Sequence, residues 1–186
     1  MKRAFDFVFS LFSLVILIFP MLLIAALIKI ASRGPILYWS SRVGKCNKIF
    51  KMPKFRTMKV ATPEVATHLL PNPEYYLIPL GAVLRKLSLD ELPQLWSVLC
   101  GHMSLVGPRP ALFNQNDLID LRGKCGIQVL LPGLTGLAQV SGRDDLSIFE
   151  KVAFDRQYLE SQSLILDLNI LWMTLLKVVM RSGVTH

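Results

Sequence analysis

The chain has 186 residues, of which 52% are hydrophobic and only 18% are charged, and its length suits one compact domain rather than two. Soluble domains carry about 25% charged residues, so this composition, with a mean hydropathy of +0.45, excludes intrinsic disorder and argues against a freely soluble protein. The net charge is +8, but residues 1–60 hold 11 of the 21 Lys and Arg and one of the 13 acids, so the basicity accompanies the apolar N-terminal segment and indicates a membrane surface rather than nucleic acid.

The first predicted element is an apolar N-terminal helix. Between Asp6 and Lys29 lie 22 residues without a charge, and a straight helix of that length spans about 33 Å, enough for the ~30 Å hydrocarbon core. Pro20 near the middle removes a backbone hydrogen bond, and basic residues flank both ends, which the positive-inside rule assigns to the cytoplasm. A single span and a reentrant helix–break–helix are about equally favoured. In both cases residues 1–33 form the membrane-embedded part and residues 34–186 a cytoplasmic domain.

Short strands, a proline-rich loop and several helices are predicted after this segment. Ile36–Trp39 and Ile49–Phe55 have the pattern of strands, interrupted by Gly44 and Pro53. Four prolines between residues 61 and 80 predict a surface loop. Helices are predicted at Pro93–Leu99, Ala111–Arg122, Leu146–Glu160 and Leu164–Met180, with tight turns at 104–110 and Pro132–Gly136 and a short apolar stretch at Leu137–Val140. The fold class is therefore α/β, mostly helical with short strands.

The last predicted helix is apolar but carries three polar interruptions. Asp167, Asn169 and Lys177 make Leu164–Met180 too polar to span a membrane. We expect an amphipathic helix that lies in the membrane interface or against the core.

Two adjacent carboxylates are the first candidates for chemistry. Asp90 and Glu91 lie at the start of a predicted helix, in the run Ser88-Leu89-Asp90-Glu91-Leu92-Pro93. A structural interpretation is strong, because Ser88 and Glu91 fit a capping box and acids stabilise helix N-termini without any further role. Arginines elsewhere favour a functional interpretation.

Basic side chains supply possible cationic partners for these carboxylates. Arg85 lies just upstream, and Arg109 and Arg143 occupy turns rich in Gly and Pro. If these guanidinium groups gather around the carboxylate pair, they form a phosphate site. Lys54 and Arg56 add further donors, for which a basic face resting on anionic lipid is an equally good explanation.

Five sequence motifs run through the chain in a fixed order. They are Lys54-Phe55-Arg56-Thr57-Met58, Leu87-Ser88-Leu89-Asp90-Glu91-Leu92-Pro93-Gln94-Leu95, Met103-Ser104-Leu105-Val106-Gly107-Pro108-Arg109-Pro110, Pro132-Gly133-Leu134-Thr135-Gly136 and Ala138-Gln139-Val140-Ser141-Gly142-Arg143. In order and spacing they resemble the bacterial sugar transferases, the monotopic phosphoglycosyl transferases. The resemblance covers nearly the whole chain, and the ending Arg181-Ser182-Gly183-Val184 looks like that of the minimal members that use N-acetylated, UDP-linked sugars.

The resemblance implies an activity and partners. Asp90 would attack the sugar-bearing phosphate of a UDP-sugar and release UMP, Glu91 would assist, and Mg²⁺ would be held by Asp90 together with the diphosphate. Undecaprenyl phosphate would then accept the sugar phosphate, in the first membrane step of glycoconjugate assembly at the cytoplasmic face of the bacterial inner membrane. Arg85, Arg109, Arg143, Lys54 and Arg56 are the candidate phosphate contacts. Later glycosyltransferases are further expected partners, nucleic acid is not, and no oligomeric state is predicted.

The chain departs from the family pattern at several positions outside the candidate site. The resemblance favours a reentrant helix over residues 1–33 rather than a single span. In the family this helix breaks at a Ser-Pro pair, whereas Phe19 precedes Pro20 here, so the break depends on Pro20 alone. Asn47 replaces a common Gly, His102 an acidic residue, Leu131 a basic residue and Leu137 a Trp. We expect these changes to alter sugar choice, affinity or the level of activity.

Other functions are also open from the sequence. A non-catalytic membrane adaptor of glycan assembly would not need the pair Asp90 and Glu91. A nucleic-acid binder would spread its basic charge along one face instead of concentrating it in residues 1–60. A polyprenyl-phosphate hydrolase would use a similar site with water as the acceptor.

Overall fold

The computed structural model describes residues 1–63, 65, 70–142 and 145–180, and its first element is a long helix. Helix α1 runs from Lys2 to Ala31 and continues through Pro20 without an interruption of the helical backbone. By length and composition it is able to cross a membrane. Most of its large apolar side chains are exposed, among them Phe7, Val8, Phe12, Ile16, Phe19, Leu22 and Leu23.

The strands form two small two-stranded sheets. They are β1 (Leu37–Val43), β2 (Ile49–Phe55), β3 (Ser104–Val106) and β4 (Gly133–Thr135), with β1 and β2 antiparallel and β3 and β4 parallel. Strand β1 is longer than predicted, and Pro53 lies within β2 opposite Trp39 instead of breaking the strand. A two-stranded sheet leaves one edge of β2 unpaired, where a proline without an N–H group is tolerated. The turn between them places Asn47 at φ 59°, a left-handed conformation that Asn accommodates better than most residues.

Helices make up most of the remaining described chain. They are α2 (Gly81–Lys86), α3 (Gln94–Leu99), α4 (Asn116–Lys124), α5 (Leu137–Ser141), α6 (Ile148–Ser161) and α7 (Leu164–Met180), with single 3₁₀ turns at Lys45–Asn47, Pro73–Tyr76, Leu89–Glu91 and Ile127–Val129. The bounds of α7 match the prediction, and α6 and α3 differ from it by one or two residues at their starts.

Two local predictions are wrong, and both errors have a tertiary cause. Helix α4 begins at Asn116 rather than Ala111, because the carbonyl of Ala111 accepts a hydrogen bond from the Val43 amide at the end of β1. The segments expected to be only tight turns contain β3 and β4, which pair with one another through backbone hydrogen bonds.

Helix α1 packs against the rest of the described chain near both of its ends. Its N-terminal half contacts a core that includes Val98, Leu105 and Tyr158, and its C-terminal half contacts a second cluster around Phe55 and Leu84. Polar contacts reinforce both attachments, so α1 is joined at each end to the same globular body.

The polar attachment at the N-terminal end is a buried network. Lys2 Nζ pairs with Asp167 Oδ2 at 2.5 Å and donates to the Val106 carbonyl at 3.1 Å. Asp6 accepts from the Ser104 hydroxyl and from the Leu105 amide. These contacts connect the first two turns of α1 to α7 and β3.

The C-terminal helix α7 has one buried and one exposed face. Asp167 and Ile170 are buried against the core, while Ile165, Leu168 and Trp172 are exposed. The expectation that this helix packs against the core is confirmed, and its outer face is apolar.

Candidate active site

The two carboxylates lie on a short, tightly constrained turn between α2 and α3. Ser88 has φ 55°, in the left-handed region, and Leu89–Glu91 form a single 3₁₀ turn. Leu89 and Leu92 pack against the cluster that contains Ile28 of α1. The apolar neighbours of the dyad therefore fix its position beside the C-terminal half of α1.

The capping box proposed for this turn does not form. The Ser88 side chain makes no capping hydrogen bond, and the Glu91 carboxylate instead accepts hydrogen bonds from two cations of other segments. Tertiary contacts have replaced the local one, so the structural explanation of Glu91 in the sequence analysis is wrong.

Glu91 is held by Lys54 of β2 and by Arg109. Lys54 Nζ lies 3.0 Å from Glu91 Oε1, and the Arg109 guanidinium donates to Oε1 at 2.7 Å and to Oε2 at 3.4 Å. Burial opposes ionisation of Glu91, but Arg109 and Lys54 outweigh it and hold the pKa of this carboxyl well below its ordinary value. Burial also lowers the pKa of Lys54, against the opposing effect of Glu91.

Asp90 has a different environment although it is the adjacent residue. It is buried, and burial raises the pKa of its carboxyl despite the nearby positive charge of Lys54. Glu91 raises this pKa further, and Arg85 and Arg109 lower it. Within the described part of the chain, hydrogen bonds reach the carboxylate of Glu91 and none reaches that of Asp90. The carboxylate of Glu91 is thus anchored by two cations, whereas that of Asp90 accepts no hydrogen bond from the described residues.

Close backbone packing positions the loop that carries Arg109. A Cβ on Gly133 would lie 2.1 Å from the backbone nitrogen of Gly107, and one on Gly136 would lie 2.1 Å from the Gly107 oxygen. No side chain fits such distances, so glycine is required at the start of β4 and directly after its end. The prolines on either side of Arg109 restrict its backbone further.

The predicted phosphate ligands divide into three groups. Lys54, Arg109 and Arg85 gather around the dyad, the last through its electrostatic effect on Asp90. Arg56 does not join them: its guanidinium is buried and donates to the carbonyls of Ser32 and Arg33 just after α1. Arg143 lies outside the described residues.

Arg122 was not identified from the sequence, yet it supports the site. It donates to the backbone carbonyl of Arg109 at 2.8 Å and pairs with Asp155 at 2.6 Å. Nothing in the sequence pattern marks it, because its partners lie on other segments.

The described residues contain no group of three or more His, Cys, Asp or Glu able to hold a metal ion by themselves. Asp90 with the phosphates of a ligand remains a possible donor set, since Mg²⁺ commonly binds through one or two carboxylates and substrate phosphates. A carboxylate with unoccupied oxygens, surrounded by cations, is suited to attack a phosphorus atom whose oxygens those cations neutralise.

Comparisons with known proteins identify the family to which the chain belongs. Residues 1–181 match the family described as bacterial sugar transferase. The chain is 40% identical to the exopolysaccharide production protein ExoY of Rhizobium meliloti, over 98% of this chain and 87% of that protein. It is 36% identical to the undecaprenyl-phosphate galactose phosphotransferase of Salmonella typhimurium, over 98% of this chain and 41% of that protein. It is 35% identical to the UDP-glucose:undecaprenyl-phosphate glucose-1-phosphate transferase of Klebsiella pneumoniae, over 95% and 39%.

Proposed function

Because the chain belongs to the bacterial sugar transferase family, we propose that it transfers a sugar 1-phosphate from a UDP-sugar to undecaprenyl phosphate and releases UMP. The observation that carries this proposal is the contrast within the dyad. Glu91 is anchored by Lys54 and Arg109, while the buried carboxylate of Asp90 has cations near it but accepts no hydrogen bond from the described residues.

The proposed reaction proceeds in two displacements at one phosphorus atom. An oxygen of Asp90 attacks the sugar-bearing phosphorus, the P–O bond to UMP breaks, and UMP leaves with the electron pair. A phosphate oxygen of the lipid then attacks the same phosphorus, and the bond to Asp90 breaks to restore the carboxylate. Lys54, Arg85 and Arg109 neutralise the phosphate oxygens, and their positive charge stabilises the transition states. A soluble nucleotide can in this way leave before the lipid substrate enters.

We further propose Mg²⁺ as the cofactor, held by Asp90 and the diphosphate of the donor. When bound, it would neutralise phosphate charge and favour departure of UMP. Because the Glu91 carboxylate is already paired with Lys54 and Arg109, we propose Asp90 as the protein ligand of this ion.

The proposed location is the cytoplasmic face of the bacterial inner membrane, with α1 bent back toward that face at Pro20 while its backbone stays helical. The attachment of both ends of α1 to the same body supports this arrangement: Lys2 binds Asp167, and Arg56 binds the Ser32 carbonyl. A helix that ended on the far side of the bilayer would lose one of these attachments. The exposed apolar side chains around Phe19 would then lie in lipid.

The sugar is proposed to be an N-acetylated hexose, from the resemblance of the C-terminal residues to members that use such donors. Two of the relatives are named as galactose and glucose transferases, so UDP-galactose and UDP-glucose are the donors to compare with the N-acetylated ones. A panel of UDP-linked N-acetylhexosamines, galactose and glucose therefore tests the donor.

The experiment is to incubate purified protein, Mg²⁺ and undecaprenyl phosphate with each radiolabelled donor and to separate lipid and water phases. The transferase predicts label in a lipid diphosphate sugar, together with UMP in equal amount. Free sugar phosphate without lipid product would identify a hydrolase instead. If no donor in the panel is consumed, the result would favour the membrane adaptor. That alternative does not explain the arrangement of cations around Asp90.

A further inference from the structure

A buried chain of contacts leads from α6 to the dyad through the Arg109 backbone. Asp155 of α6 accepts from Arg122 Nε at 2.9 Å and from its terminal nitrogen at 2.6 Å. The other terminal nitrogen of Arg122 donates to the Arg109 carbonyl at 2.8 Å. The Arg109 guanidinium in turn binds both oxygens of Glu91.

The burial of Asp155 and Arg122 distinguishes this series of contacts from a surface ion pair. The Asp155 side chain is 2% exposed and that of Arg122 13%, whereas the Arg109 side chain is 38% exposed. A buried guanidinium that donates to both a carboxylate and a carbonyl has a single geometry, because its donors form a rigid planar fork. The Arg109 side chain is more exposed, and it extends from a backbone whose carbonyl is bound by Arg122.

The carbonyls of the two residues that follow Arg109 also accept hydrogen bonds from other segments, so the backbone after β3 is fixed at several points. Arg42 donates to the Pro110 carbonyl at 3.1 Å, and the Val43 amide donates to the Ala111 carbonyl at 3.0 Å. Arg122 provides the corresponding contact at the residue that reaches the dyad. Its removal therefore affects the residue of this segment whose side chain binds Glu91.

We propose that Arg122, oriented by Asp155, is a positioning residue that fixes Arg109 and through it the Glu91 carboxylate. The proposal rests on the proposed function only for its kinetic readout. A displacement of about 1 Å in a positioning group is sufficient to lower a rate by about 100-fold. Loss of the Arg122 contact should accordingly lower kcat/KM for the UDP-sugar by about 10- to 100-fold.

The variant must avoid leaving a buried charge without a partner. Arg122→Met alone would strand Asp155, so the test uses the double variant Arg122→Met/Asp155→Leu, which replaces the pair by apolar side chains of similar size. Its matched control is Lys2→Met/Asp167→Leu, which also removes a buried ion pair whose cation donates to a backbone carbonyl. Both are made in the parent chain and in Arg109→Ala.

The cycle separates a positioning role from a general structural one. If Arg122 acts through Arg109, Arg122→Met/Asp155→Leu lowers kcat/KM in the parent chain but changes it by less than about twofold in Arg109→Ala. The control pair Lys2→Met/Asp167→Leu changes kcat/KM by the same factor in both backgrounds. An equal loss in both backgrounds overturns the proposal.

Amide hydrogen exchange gives a readout that does not depend on the activity. The proposal expects faster exchange at residues 89–91 in Arg122→Met/Asp155→Leu, away from the altered pair. Faster exchange confined to α4 and α6 overturns it. If the parent releases UMP from no donor, the proposed function fails, and the exchange result alone decides whether Arg122 positions the dyad.

Discussion

Asp90 and Glu91 are neighbours in the chain with opposite electrostatic surroundings. Burial raises the pKa of Asp90, whereas Arg109 and Lys54 overcome burial and hold that of Glu91 well below its usual range. We propose that the two carboxyls have different tasks, with Glu91 organising the cations and Asp90 meeting the substrate.

Replacing Arg109 should weaken catalysis without unfolding the chain. Arg109→Ala removes a partly exposed guanidinium that pairs with Glu91, and the loss of one such electrostatic contact lowers kcat by about 100-fold or more. UMP release measured against donor concentration checks this value. The matched control is Arg156→Ala, because Arg156 pairs with Glu160 on the surface; an equal loss in both variants would contradict the role of Arg109.

The depressed pKa of Glu91 predicts an acid-sensitive contribution to stability. Ionised Glu91 stabilises the fold above the ordinary carboxyl value of about 4.3, and this stabilisation is lost as pH falls through the lowered folded-state pKa. Asp90 acts with the opposite sign, since its raised pKa favours the protonated folded form at low pH. The comparison is therefore made between Asp90→Asn and Asp90→Asn/Glu91→Gln.

Thermal unfolding in detergent provides the measurement. Between about pH 5 and about pH 3, the Tm of Asp90→Asn should fall more steeply than that of the double variant. Parallel curves would show that Glu91 gains no stabilisation from Lys54 and Arg109.

The positions of the two ends of helix α1 distinguish a reentrant helix from a single membrane span. Its N-terminus is attached to α7 and β3, and the carbonyls after its last turn bind Arg56. We predict that an epitope tag on the N-terminus and the exposed Cys46 are both accessible in inside-out vesicles and protected in intact spheroplasts. A tag digested only in spheroplasts, with Cys46 labelled only in inside-out vesicles, would establish a single span.

The elements were predictable where the pattern is long and local. Helix α7 has the bounds that its apolar run indicates, because its amphipathic pattern extends over the whole segment. Strands β3 and β4 have three residues each and pair across a long stretch of chain, so they have no usable periodicity. Long-range contacts also explain why Arg122 was missed and why Arg56 was wrongly predicted to contact phosphate. The sequence around a basic residue does not show which distant backbone carbonyl it binds. Asp90, Arg85 and Arg109 were identified from the adjacent carboxylates and the basic residues of the sequence, and the order of the motifs then gave Asp90 its expected role.

At the scale of the whole molecule, the apolar helices complete the fold and also cover it with a lipid-compatible surface. Ile28 is fully buried against Phe55 and Leu84, yet the outer sides of α1 and α7 expose Phe19 and Trp172. Helix α1 and the rest of the described chain therefore share both buried clusters.

A chain shortened to residues 34–186 should not fold cooperatively. Without α1, Asp167 loses the ammonium of Lys2, and the cores beneath both halves of the helix become exposed to solvent. Circular dichroism during heating should show a broad transition for the fragment and a sharp one for the full chain in detergent. A soluble fragment with a sharp transition would contradict the shared core.

The central claim is that Asp90 forms a covalent bond to the sugar phosphate. Its most direct measurement is the intact mass of the purified protein after incubation with the donor panel and Mg²⁺, without a lipid acceptor. We predict a mass increase equal to one sugar-phosphoryl group, its absence in Asp90→Asn and its loss on addition of undecaprenyl phosphate. Lipid-linked sugar formed at full rate by Asp90→Asn, or an adduct that persists in that variant, would contradict it.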